Sequence, residues 1–186
     1  MSDRPKLVDS SPLYPLPDAL LVDSSVLGGI GRPTPERRQL INYIQSNDKQ
    51  LYVSTGVVEE LDKEWAGPYG VNDWLDPIRN EDWIVALPEP DYGARIRDGP
   101  TVSEMVDEAH RELAKLEQER EDELPKTDAK FAGNLVQIRV SEGHDSVGLI
   151  IDDKNAERAL SQVVSETEYE QFFRILRGPE VLEEIQ

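Results

Sequence analysis

The chain contains no cysteine, two histidines, two methionines and only 6% aromatic residues, and its 20 Lys and Arg face 38 Asp and Glu. Without cysteine there is no disulfide framework, no thiolate metal site and no cysteine nucleophile. The formal charge of −18 excludes a broad basic face that would hold nucleic acid by charge alone, and with it a polybasic anchor on anionic lipid. No apolar run approaches the roughly 20 residues needed to span a bilayer, and Met1 to Asp9 lacks the apolar centre of a signal peptide. A soluble, cytoplasmic protein without a membrane partner is expected. Its 186 residues are enough for one domain with a core that needs no staple.

What is present is 38% hydrophobic residue in well-spaced segments, so the charge belongs to the solvated surface of a folded chain rather than to a disordered one. Arg outnumbers Lys 13 to 7, and this balance with the acid excess suits adaptation to molar salt. There the Debye length of roughly 3 Å mutes self-repulsion. Residues 1–18, with Pro12, Pro15 and Pro17, predict an extended lead-in. Ala19–Val22, Leu51–Val53, Trp83–Leu87 and Val147–Ile151 are short, continuous apolar runs, the pattern of strands buried on both faces. A fifth, weaker strand is expected at Val163-Val164.

Between them lie helical patterns. One starts at Thr34-Pro35, with Leu40, Ile41 and Ile44 on its stripe; a second follows Ser54-Thr55, with Val57, Val58, Leu61 and Trp65. A third runs from Thr101 through Val102, Met105, Ala109 and Leu113, and a fourth begins at Thr127 with Phe131, Leu135 and Ile138. Asn155–Leu160 and a segment through Phe172, Phe173 and Leu176 complete the helices. Strands alternating with helices predict an α/β domain with a mainly parallel sheet.

Most carboxylates fall on polar helix faces. Asp23 and the pair Asp152-Asp153 differ, because each directly follows an apolar strand, and ligands of open α/β sheets bind outside the carboxyl ends of the strands. Carboxylates gathered there raise one another's pKa and persist with a cation between them. Oxygen donors without Cys or clustered His suit Mg²⁺ or Mn²⁺ better than zinc, and metal-assisted phosphodiester hydrolysis is the matching reaction class.

Four segments in order carry a resemblance. Leu21-Val22-Asp23-Ser24-Ser25 resembles the opening strand and Asp-x-Ser/Thr turn of PIN-domain nucleases, the fold also found in VapC-type toxins. Val57-Val58-Glu59-Glu60-Leu61 is similar to the second motif, Thr127-Asp128-Ala129 to the Asp-Ala signature of the third acidic helix, and Ile150-Ile151-Asp152-Asp153 to the end of the fourth strand. The resemblance implies a three-layer α/β/α sandwich with about five strands over residues 19–177; the stretch around 67–125 departs from the family's compact form as a helical insertion, and residues 178–186 read as a C-terminal tail. It implies Asp23, Glu60, Asp128 and Asp153 as the metal-binding, catalytic acids, supported by Ser25, Asp152 and Asn155. Glu59 competes with Glu60, about 100° away on the helix, and Asp152 competes with Asp153. Asn155 is also explained as a helix N-cap.

The implied function is a divalent-metal-dependent endoribonuclease; the alternatives are an inactive PIN-like RNA- or protein-interaction module and a toxin masked by an antitoxin. A homodimer is a further expectation. Arg32, Arg37 and Arg38 follow the Gly-rich loop after Asp23 and are candidate phosphate contacts, with Arg95 and Arg97 a looser second group. His144 reads as a loop residue and His110 as a surface one.

Overall fold

In the computed structural model the described residues are 16–29, 34–64, 74–167 and 170–185. Most of the expected lead-in, Arg32, Trp65 and the start of the expected insertion lie outside them.

Five strands, β1 (Ala19–Val22), β2 (Gln50–Val53), β3 (Ile84–Ala86), β4 (Val147–Ile150) and β5 (Phe173–Leu176), form one sheet in the order β3-β2-β1-β4-β5. All its pairings are parallel. β1 and β4 sit at the centre and are buried at every position, as their unbroken apolar runs require. From β1 the chain steps outward through β2 to β3, then crosses back to β4 and β5. With right-handed crossovers, the two directions of travel put their helices on opposite faces of the sheet. On one face lie α1 (Ser24–Gly29), α2 (Pro35–Ser46), α3 (Thr55–Glu64) and α4 (Leu75–Asn80); on the other α5 (Val102–Glu117), α6 (Lys130–Val140) and α7 (Lys154–Ser165) pack on one another. The architecture is the expected three-layer α/β/α sandwich. No helix among the described residues is long and apolar enough to cross a membrane.

Three expected elements differ. Val163 and Val164 are not a strand but the last buried turn of α7, continuing the helical stripe of Ala156, Ala159 and Leu160. The segment expected as a final helix is instead a 3₁₀ turn, Glu170–Phe172, running into β5, because four residues beside β4 complete a parallel ladder there. Residues 178–184 are not a tail: α8 (Gly178–Glu184) starts with a proline in its first turn, buries Val181 and packs on α2. His110 also departs from the surface reading, since it is 4% exposed and its Nε2 lies 3.0 Å from the Leu124 carbonyl, tying the acidic loop after α5 to that helix.

α5 and α6 cross at Gly133, where an added Cβ would stand 2.8 Å from Val102 Cγ1 and 3.0 Å from Val106 Cγ2. Only a residue without a side chain allows this approach, and the crossing holds the start of α6 in place. Gly133→Val is expected to cost about 1–3 kcal/mol, read as a melting temperature lower by roughly 3–10 °C, by forcing the helices apart. An unchanged melting temperature would show that the crossing relaxes freely.

Candidate metal centre

In the strand order β3-β2-β1-β4-β5, connections leave β1 and β4 in opposite directions, so the crevice of the sheet opens at their carboxyl ends. The two strands pair in register there, and the backbone N–H of Asp23 donates to the Ile150 carbonyl at 3.1 Å. Asp23 therefore stands at the switch point itself. Its carboxylate is held locally: Oδ1 accepts from the Ser24 N–H at 2.7 Å and Oδ2 from the Ser25 hydroxyl at 2.6 Å.

Glu60 comes from the middle of α3 and meets this turn through Ser24, whose hydroxyl donates to Glu60 Oε2 at 2.5 Å while lying 3.4 Å from Asp23 Oδ1. With a single proton the Ser24 hydroxyl bonds to Glu60, and its oxygen separates the two carboxylates. Ser24 is a contact the sequence reading did not single out; its signal is the Ser doublet after the strand-ending aspartate. Glu59 is exposed and lines the neighbouring cleft beside Glu60 without a bond to Ser24.

Asp128 lies in the turn that enters α6, which starts at Lys130 rather than at Thr127. Burial is the main cause that pushes its carboxyl from 3.8 up to about 6, followed by the negative charges of Asp23, Asp153, Glu60 and Glu117. The charges of three of the acids expected from the sequence, Asp23, Asp153 and Glu60, thus bear on the fourth, Asp128, joined by Glu117 from the end of α5. Glu117 was not expected; a helix end far along the chain carries no local mark that it returns to the sheet edge. Its Oε1 accepts from Asn155 Nδ2 at 2.8 Å, so Asn155 is not the cap of α7. The cap is Asp153, whose Oδ1 accepts from the Ala156 N–H at 2.8 Å.

Asp152 faces the other way, as alternation after a strand requires. Its Oδ1 accepts from the Gly178 N–H at 3.1 Å and holds the start of α8, and it is absent from the charges that bear on Asp128. It supports the fold rather than the acid cluster. Arg37 is likewise not aimed at a phosphate: it is 9% exposed and its guanidinium lies over the Trp74 ring, 4.3 Å from the centroid. Arg38 lines a groove between α2 and α8 with Tyr43 and Ile185, and Arg95 belongs to an exposed bridge with Thr101. His144, in the loop before β4, places Nε2 2.8 Å from the Tyr52 hydroxyl.

As the side chains stand, no three carboxylates or imidazoles among the described residues are arranged to hold an ion. The donor chemistry nevertheless fits a hard divalent cation, because the gathered groups are all oxygen and their mutual repulsion is what a cation would relieve.

Residues 16–186 match the Halobacterial PIN domain family. Among solved structures the chain is similar to the crystal structure of FitAcB from Neisseria gonorrhoeae, with 15% identity and a TM-score of 0.43 over 86% of this chain and 97% of that one. No curated protein matches.

Proposed function

The chain belongs to the halobacterial PIN domain family, and on that premise we propose that it is a divalent-metal-dependent endoribonuclease. Asp23, Glu60, Asp128 and Asp153 would hold Mg²⁺ or Mn²⁺. The observation that carries this reading is the convergence of Asp23, Asp153, Glu60 and Glu117 on Asp128, a repulsive arrangement at the crevice where α/β sheets bind ligands. A bound ion supplies positive charge at the phosphate and acidifies water without a histidine base.

The protein's own groups prepare for that role. Ser25 locks the rotamer of Asp23, and Ser24 holds Glu60 beside it, so two acids are preset at the end of β1. Asp128, with its pKa near 6, is largely ionised at pH 7 and releases its proton readily when a cation approaches. Glu117 holds the amide of Asn155 through its Nδ2, which leaves Asn155 Oδ1 without a role in that bond.

The test is cleavage of a labelled single-stranded RNA in molar KCl with Mn²⁺ or Mg²⁺, and again with excess EDTA. Cleavage that requires the ion supports the reading, and its absence under every ion condition removes it. Ser25→Ala is expected to lower kcat about tenfold, the usual scale for removing a group that orients a metal ligand.

A further inference from the structure

Beside the acid cluster a cleft of about 280 Å³ opens between one face of α3, the segment 88–90 and the start of α6, walled by Ser54, Glu60, Lys63, Thr127 and Lys130. Its size is just below the usual range of small-ligand sites, enough for one polar unit of a longer chain. Glu60 belongs to both the cleft and the cluster. Lys63 lies three residues after Glu60 on the same helix face, and Lys130 two residues after Asp128.

These lysines stand out by what they lack. In a chain with 38 acids, Lys49, Lys115 and Lys126 each have a carboxylate partner, whereas Lys63 and Lys130 have none within 4.0 Å among the described residues. Lys154 is also unpaired there but does not line the cleft. The i, i+4 position of Glu59 makes an ion pair with Lys63 available, yet the pair is not formed. The cleft wall is firm: Asn134, 3% exposed, donates to Gln137, which in turn donates to the Pro88 carbonyl at 3.0 Å.

We propose that Lys63 and Lys130 hold the backbone phosphate that neighbours the reacting one, so that a single strand of nucleic acid runs from the acid cluster along the cleft. The proposal rests on the nuclease reading of the acids. A phosphate next to the reacting one would be out of reach of an ion held by the acids, so its countercharge would come from the protein. A surface with a net charge of −18 repels a strand almost everywhere else, so two free ammonium groups at this place set its path. Glu59 and Glu89 on the rim limit the affinity and leave the lysines responsible for the attraction.

The test uses fluorescein-labelled 12-nucleotide RNA and DNA single strands, with binding followed by anisotropy in Ca²⁺ and cleavage followed in Mn²⁺. Lys63→Gln and Lys130→Gln are each expected to weaken binding about tenfold and to reduce the slope of log Kd against log salt by about 0.7, with Lys→Arg keeping most of both. In cleavage the loss falls on KM rather than kcat. Gly56→Leu fills the cleft without altering charge; a Cβ at 56 meets nothing nearer than Ser54 Oγ at 3.9 Å, and an unaltered melting temperature checks that the fold accepts the rest of the side chain. It is expected to weaken binding and, by moving the phosphate off the two lysines, to lower the salt slope as the glutamine variants do.

Wild-type affinity and salt slope in both glutamine variants overturn the proposal even if cleavage is robust. Lysine-dependent binding without any cleavage supports the path of the strand along the cleft and removes the nuclease reading, and with it the reacting phosphate. A wild-type protein that neither binds nor cleaves overturns both.

Discussion

Asp128→Asn is expected to lower kcat for RNA cleavage by about a thousandfold and, in the ion-free protein at pH 7, to raise stability. The first effect follows from loss of a carboxylate at the point where the other acids converge. Several kcal/mol of charge stabilisation by a bound ion corresponds to two or three decades in rate. The second follows from the same crowding. Folding moves the Asp128 carboxyl from 3.8 to about 6, by burial first and then by its acidic neighbours. Between those two values the folded chain binds more proton than the unfolded one. The Asp128 contribution to stability is therefore fully present below about pH 4, falls as pH rises to about 6, and stays lost above it.

The full shift corresponds to at most about 3 kcal/mol, and screening of this half-buried group leaves about 1–2 kcal/mol. The substituted amide keeps the shape of the carboxylate without its charge. The wild-type and variant melting temperatures, measured in EDTA, should coincide near pH 4 and separate by roughly 2–8 °C in favour of the variant at pH 7. Mn²⁺ should reverse the order at pH 7 by stabilising the wild type alone. A variant that melts below the wild type at pH 7 in EDTA would show that Asp128 is not held against repulsion. Catalytic sites commonly carry this exchange of stability for function.

Trp74→Ala is expected to destabilise the fold by about 3–5 kcal/mol, the largest single effect outside the acid cluster. Trp74 is 2% exposed, its indole N–H donates to the Leu27 carbonyl at 3.0 Å, and Arg37 covers its ring. Truncation would leave a cavity, an unpaired carbonyl at the end of α1 and a buried guanidinium without its aromatic surface. Because α1 also carries Ser24 and Ser25, ion affinity should fall along with stability. Trp74→Phe keeps the ring and loses the hydrogen bond, for which about 1 kcal/mol is expected. Chemical denaturation of the two variants separates the terms; equal losses would show that the indole N–H, rather than the packing, carries the effect.

The identity of the central elements was legible because the signals are local. β1 and β4 are unbroken apolar runs, and each ends on an aspartate whose position at the carboxyl edge follows from the strand itself. Where local signals compete, legibility failed: Val163-Val164 suits either a strand or the next turn of an amphipathic helix, and packing of the α7 stripe decided it. Phe173–Leu176 reads equally well as a helix until β4 offers an edge to pair with.

By itself the amino-acid sequence determined the class of fold, the Asp-Ser turn after β1, the acids at the strand ends and the surplus of negative charge. The resemblance named Asp23, Glu60, Asp128 and Asp153 among the 38 acids; only the tertiary structure added the contacts around them, Ser24 to Glu60 and Glu117 to Asn155. The Ser24 bond to Glu60 spans 36 positions and the Asn155 bond to Glu117 spans 38, and no periodicity or spacing reports such pairs. The same holds for Arg37, drawn onto Trp74 and away from solvent, and for Lys63 and Lys130, brought from two helices to one cleft. Hydrophobic pattern is a property of neighbours along the chain. Electrostatic coupling depends on distance in space, and that distance exists only once the sheet and its two helical layers have closed.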